Sequence, residues 1–279
     1  MKTAQWIRLR LRLCLLAVLL PATCGYAAVT NVVWFRLGEN DPGAAPGLAA
    51  TNTTDVVAHR VLKAFGSPVY TNSVGTDAAA HVGSSLAVQF SGSGQCFTNS
   101  LLTGATNNFG IEAWVNPNDV GGPVRIIAYN GNTAKDGWGI YQNGTNYFGA
   151  FGGLGVVQIG GTAGTATAGT WTHVALVREG GVAGLFINGV LSGATTTAAP
   201  IGLAVGDPFA IGALPQSPSI SDFSGTVDEV RIFTFSNGLF RTSDLLINLQ
   251  RVATQSGTAL TTSSAALSGL AQPAGGAAG

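Results

Sequence analysis

Four glutamates, nine aspartates and three histidines carry most of the acid–base chemistry open to this 279-residue chain. Glycoside hydrolysis would need two carboxylates at a defined separation across the scissile bond. Glu112 falls in the strand-like FGIEAWV and Glu179 in a turn, while Glu229 follows Asp228 and takes the opposite face if the strand alternates. A pair assembled from separate strands stays open. His59, His81 and His173 are the candidate bases, but no G-x-S-x-G elbow accompanies them. His173, inside WTHVALV, reads as a packed, hydrogen-bonded imidazole. The glycine-rich AFGGLGVVQIGG has neither the spacing nor the following helix of a phosphate cradle. No cysteine–histidine spacing suits zinc.

Binding chemistry has better candidates. Trp138, Tyr141 and Tyr147 lie, together with Phe148, in DGWGIYQNGTNYFG, where aromatic faces beside Asn and Asp would suit a sugar platform. Tyr147, next to the turn Asn143-Gly144-Thr145, is the best placed of the three. The alternation of WGIYQN equally allows Trp138 and Tyr141 to face a core. Trp34, Trp114 and Trp171 sit in strong strand patterns and read as core. Asp228 stands in the middle of FSGTVDEVRIF, where a carboxylate needs a partner unless it is exposed. Arg36 and Arg231 are possible partners.

The elements that must position these residues are strands. In WTHVALVREGGVAGLFINGVLS, Asn188-Gly189 is a strong hairpin signal because both residues tolerate positive φ. The turn sets Ile187 opposite Val190 and Phe186 opposite Leu191, and a looser reversal falls at 178–181. Neither hairpin alternates cleanly, so its strands are expected to be covered on both sides. SLAVQF, RIIAYN, VVQIGG and PFAIGA add further strands, while HRVLKAF fits strand or helix. SDLLINLQRV is the one expected helix, with Ser243 as its N-cap. Strands without interleaved helices predict an all-β, two-sheet antiparallel sandwich with one short C-terminal helix.

Composition agrees: charged residues are 9%, apolar residues 46%, and there are 40 glycines. Residues 1–27 order a basic start, the apolar LCLLAVLL and small residues ending at Ala27, as a cleaved secretory signal does. Residues 28–254 then form the domain, and 255–279 a low-complexity tail or linker. Loss of the signal leaves nine basic against thirteen acidic residues, which disfavours a nucleic-acid partner. The mature chain is expected outside the cytoplasm, extracellular or periplasmic, without a membrane span. Cys96 is left alone, as a small buried apolar residue.

FGIEAWVNP, WTHVALVREGGVAGLFINGVL, FAIGA and FSGTVDEVRIF occur in the order of the LamG-like jelly-roll domains, and the chain resembles them from Val33 to Leu249. These are laminin G-like members of the concanavalin A-like lectin and glucanase superfamily. The segment after Arg231-Ile232 departs from the family pattern: FTFSNGLFRTS stands where Tyr-Asn-Arg-Ala-Leu-Ser is common. The resemblance implies a jelly roll and a module that binds glycans or extracellular proteins. The superfamily's glucanases use an E-x-D-x-x-E strand that this chain lacks, so no catalysis is expected. A hydrolase or lyase with acids from loops, and an architectural cell-envelope module, are the alternatives. Related glucanases hold a structural calcium with an Asp on a strand like TVDEVRIF. The resemblance thus implies calcium at Asp228, with backbone carbonyls from 37–41 alongside.

Overall fold

The computed structural model describes residues 29–99, 107–131, 137–152, 157–160, 164–197, 208–214 and 221–249, and the backbone of 252–254 and 269–271. The expected signal lies outside the described residues, as does most of the expected tail. The described residues form two antiparallel eight-stranded sheets packed face to face. The first sheet runs β14 (Val190–Thr196), β13 (Val182–Ile187), β12 (Thr172–Glu179), β7 (Phe109–Pro117), β16 (Ser224–Phe235), β5 (Ala87–Ser91) and β4 (Val69–Thr71). Its eighth strand, β1 (Val29–Phe35), also pairs with β16. The second runs β11 (Val157–Gly160), β10 (Asn146–Phe151), β9 (Trp138–Asn143), β8 (Arg125–Asn130), β15 (Phe209–Ile211), β6 (Cys96–Asn99), β3 (Val61–Phe65) and β2 (Asn52–Thr54). A short ladder joins β17 (Val252–Thr254) to β18 (Gly269–Ala271).

The inter-sheet core is aromatic and branched: Phe35, Phe90, Phe97, Ile111, Leu176 and Phe209 are fully buried there. Cys96 is buried and free, and burial, with the nearby Asp222, pushes its thiol up to about 11. The 188–189 turn forms as the sequence requires. Asn188 and Gly189 have φ of 49° and 76°, and the pairs Ile187–Val190 and Phe186–Leu191 are in register. The expectation of cover on both sides holds for β12 but not for β14. As the sheet edge, β14 leaves Val190 and Leu191 mostly exposed.

The outer face of the first sheet carries a second apolar cluster. Trp114, Ala175, Phe186 and Phe233 are roofed by Leu245, Leu246, Ile247 and Ala78. The roof corrects the helix expectation. The described residues at SDLLINLQRV form two single 3-10 turns, Thr242–Asp244 and Leu246–Asn248, interrupted by an extended Leu245, and Ser243 lies inside the first turn, whose N-cap is Arg241. Leu246 gives its N–H to a carboxylate of the sheet rather than to a helical carbonyl, so tertiary contact overrides local propensity. The α-helix among the described residues is α1 (Thr76–Val82), closed by Gly83 at φ 73°.

Candidate functional site

β16 is the strand that builds the site. Its first half, Ser224–Val227, pairs with β5 and its second half, Val230–Phe235, pairs with β1 on the same side. Between those halves, no strand among the described residues lies beside Asp228 and Glu229 on that side. On the other side, Asp228 pairs with Trp114 and Arg231 with Glu112, so Glu229 and Val230 together oppose Ala113. This is a β-bulge, and Glu229 takes φ 52° to make it. The bulge breaks the alternation read from the sequence. Asp228 and Glu229 do not lie on opposite faces; with Glu39 they form one cluster whose ligand oxygens lie within 4.8 Å of one another.

Each acid enters the cluster differently. Gly38 (φ 151°) approaches so close that a Cβ there would sit 2.4 Å from Leu86 Cβ. That approach sets Glu39 over the 84–86 loop, where Oε1 accepts from the N–H of Ser85 (2.5 Å) and Leu86 (2.8 Å). Its Oε2 is buried without a partner among the described residues. Asp228, fully buried, accepts from Ser84 Oγ at 2.5 Å, while its Oδ1 is likewise unpartnered. Glu229 accepts from Arg36 at 2.8 and 2.9 Å and from Trp34 Nε1 at 2.5 Å.

Arg36 is the basic side chain bonded in the cluster, and it is bonded to Glu229. Burial, reinforced by the Glu229 charge, raises the Asp228 carboxyl well above the usual range. Burial pushes Glu229 up to about 7 despite Arg36. Oxygen donors with two orphaned carboxylate lone-pair sites are the set a hard divalent cation takes. Asp228, Glu39 and Glu229 could hold one, with Ser84 Oγ nearby. Neither partner expected for Asp228 takes it, since Arg36 goes to Glu229 and Arg231 to Glu112.

One strand away lies a second buried carboxylate. Glu112 accepts from Arg231 Nε (2.5 Å), the His173 ring (Nε2 at 2.8 Å) and Leu246 N–H (3.0 Å). Burial alone would lift Glu112, but the Arg231 charge, with the His173 bond, overrides it and holds the group below its ordinary value. His173 is thus the packed, bonded imidazole expected from its strand.

The aromatic residues expected to form a sugar platform are separated by the sheet. Trp138 and Tyr147 point into the inter-sheet core, Trp138 packing on Phe109 with centroids 4.6 Å apart. Tyr141 joins a cluster on the outer face of the second sheet and stacks on the half-buried Phe148, at 5.3 Å and 13°. The three rings do not share a face, because strand alternation sends Trp138 and Tyr141 to opposite sides. Tyr147, the best placed of the three by its position beside the turn, is fully buried.

Sequence reading set residues 37–41 beside Asp228 through their backbone carbonyls, but missed the Glu39 carboxylate, Ser84 and Glu229 as its companions. The one signal that pointed there was a pair of adjacent acids inside an otherwise apolar strand, which regular alternation could bury only in part.

Comparison with known proteins found no match among curated sequences. Among solved structures, Trypanosoma rangeli sialidase in complex with sialic acid aligns at TM-score 0.55 and 13% identity, covering 78% of this chain and 32% of the sialidase. The botulinum neurotoxin serotype D binding domain aligns at TM-score 0.52 and 13% identity, covering 78% and 51%. Domain 4 of an extracellular arabinanase from Geobacillus stearothermophilus, in complex with arabinotriose, aligns at TM-score 0.49 and 15% identity, covering 72% and 98%. Such identities speak to the fold alone. The family profile described as concanavalin A-like lectin/glucanases matches residues 90–236, from the end of β5 through β16. With its two antiparallel sheets and that match over more than half its length, the chain belongs to the concanavalin A-like lectin/glucanases superfamily.

Proposed function

We propose that the chain is a non-catalytic glycan-binding module whose sandwich is tied together by a calcium ion at Glu39, Asp228 and Glu229. The observation that carries the non-catalytic reading is the burial of its close-set acids. Asp228 and Glu229 are 0% exposed, so a polysaccharide cannot reach them. Glu112 is equally buried and committed to three donors. A glycosidase needs two carboxylates flanking a bound sugar. The glycan reading draws on the superfamily match and on Phe148, stacked over Tyr141 on the outer face of the second sheet. An aromatic face of this kind packs against the apolar face of a sugar ring.

Calcium would screen the repulsion among the three acids and join the β1 exit loop, the 84–86 loop and β16. Export, as the first 27 residues suggest, would bring the module to a calcium-containing medium. A glycan array screened with the exported chain, with a reducing-sugar assay on the same polysaccharides, tests the reading. Binding without released sugar is expected, and Phe148→Ala is expected to weaken it about tenfold, the worth of one stacking ring. Sugar released at catalytic turnover would overturn it.

A further inference from the structure

A cavity of about 130 Å³ opens at one end of the first sheet's outer face, on the opposite side of the sandwich from Phe148. Its walls come from three elements: Gly75, Thr76 and Asp77 at the start of α1, Trp171 and His173 at the start of β12, and Asn188 in the hairpin turn. Trp114 of β7 completes the lining. Thr76, Asp77 and Asn188 are exposed at the rim, and Trp171 is half-buried. The absence of a side chain at residue 75 brings α1 close to both indoles. A Cβ there would lie 3.3 Å from Trp171 and 3.5 Å from Trp114.

The inner end of this cavity is chemically unfinished. Glu112 engages His173 through Nε2, leaving Nδ1 buried with no partner among the described residues. Trp114 Nε1, whose indole lies edge-on to His173 at 4.7 Å, is buried and unpartnered as well. Nδ1 is an acceptor in the neutral ring and a donor in the charged one, so either state leaves a valence unfilled. Buried polar atoms are normally satisfied, and two adjacent exceptions lining one cavity point to a group that comes from outside. Asn188 Oδ1 accepts from the His173 N–H (2.9 Å), which leaves Nδ2 without a partner among the described residues.

We propose that this cavity binds a single hydroxylated sugar ring, stacked on Trp171. Asp77 accepts from its hydroxyls, Asn188 donates to them, and His173 Nδ1 and Trp114 Nε1 are reached directly or through water. The space suits one ring rather than a chain: it equals several water volumes and ends against the buried Glu112–His173 pair. The ligand class rests on the glycan reading above, but the site lies on the other sheet and stands or falls separately.

Methyl glycosides of glucose, galactose, mannose, xylose and N-acetylglucosamine, titrated into the full chain and followed through indole N–H NMR signals, test it. At least one glycoside should shift the Trp171 and Trp114 signals saturably. Trp171→Ala should weaken that binding about tenfold, the equivalent of one lost stacking contact. Asp77→Ala, at an exposed position that does not threaten folding, should weaken it severalfold. Phe148→Ala should leave it unchanged. The proposal is overturned if none of the five glycosides gives a saturable shift, or if the shift survives in both Trp171→Ala and Asp77→Ala. A shift lost only in Phe148→Ala would overturn this site while supporting the sheet face.

Discussion

Glu112 and Asp228 are both fully buried on the outer face of the first sheet, on the neighbouring strands β7 and β16, yet they are opposite kinds of site. Around Glu112 the fold supplies two basic side chains and a backbone N–H, and the carboxylate stays ionised with its oxygens occupied. Around Asp228 it supplies two more acids, a serine hydroxyl and Arg36, which is committed to Glu229. The difference is one of register. Glu112 sits in regular ladder opposite Arg231, whereas Asp228 and Glu229 sit where β16 exchanges one partner strand for another. Equal burial therefore makes a finished structural clamp in one place and, in the other, a charge excess that a cation would relieve.

The sharpest way to break the comparison is to empty the finished site. Glu112→Gln keeps the shape but strands the Arg231 charge and weakens the hold on His173 and Leu246. The expected loss is about 3–5 kcal/mol, read from urea denaturation midpoints. A loss below about 1 kcal/mol would mean that the network does not clamp 245–247 to the sheet.

The unfinished site should respond to metal instead. Calcium at a hundred times its dissociation constant is expected to add about 2.7 kcal/mol to wild-type stability, seen as a higher thermal midpoint than in chelator. Asp228→Asn should abolish that gain. If chelation leaves the wild-type midpoint unmoved and no calcium purifies with the protein, the cluster holds no cation.

The remaining effect is in pH, and the two sites should oppose each other there. In chelator, Asp228 and Glu229 have raised values in the folded state, so the native protein binds more protons than the unfolded chain. Stability should then fall as pH rises from the ordinary carboxylate range toward about 7, where Glu229 titrates. The fall should be about 3 kcal/mol at most, at about 1.4 kcal/mol for each pH unit by which Glu229 is raised, and Asp228→Asn should reduce it. Glu112, held low, contributes stability that is complete above its unfolded value and is lost only as pH drops through its lowered folded one. Its loss should appear as acid destabilisation, below the window where the cluster acts. Calcium should remove the slope above pH 5 and leave the acid limb in place.

Patterns of neighbouring residues were enough to give the sandwich, the 188–189 hairpin with its register and the buried imidazole at His173. Each depends on interactions within a few positions or on strict strand alternation, so each is written locally. The rest turned on distant chain segments. The helix expected at SDLLINLQRV gave way to two 3-10 turns because Leu246 bonds Glu112, 134 residues away in sequence. The expected platform dissolved because Trp138 and Tyr147 fill the space between sheets, which only the packing partner defines. The acidic site needed a bulge at Glu229, with φ 52°, and the arrival of Glu39 from the exit of β1. Alternation assigns a face to each residue only while the ladder is regular. Where a strand changes partners, the tertiary structure decides which side chains meet.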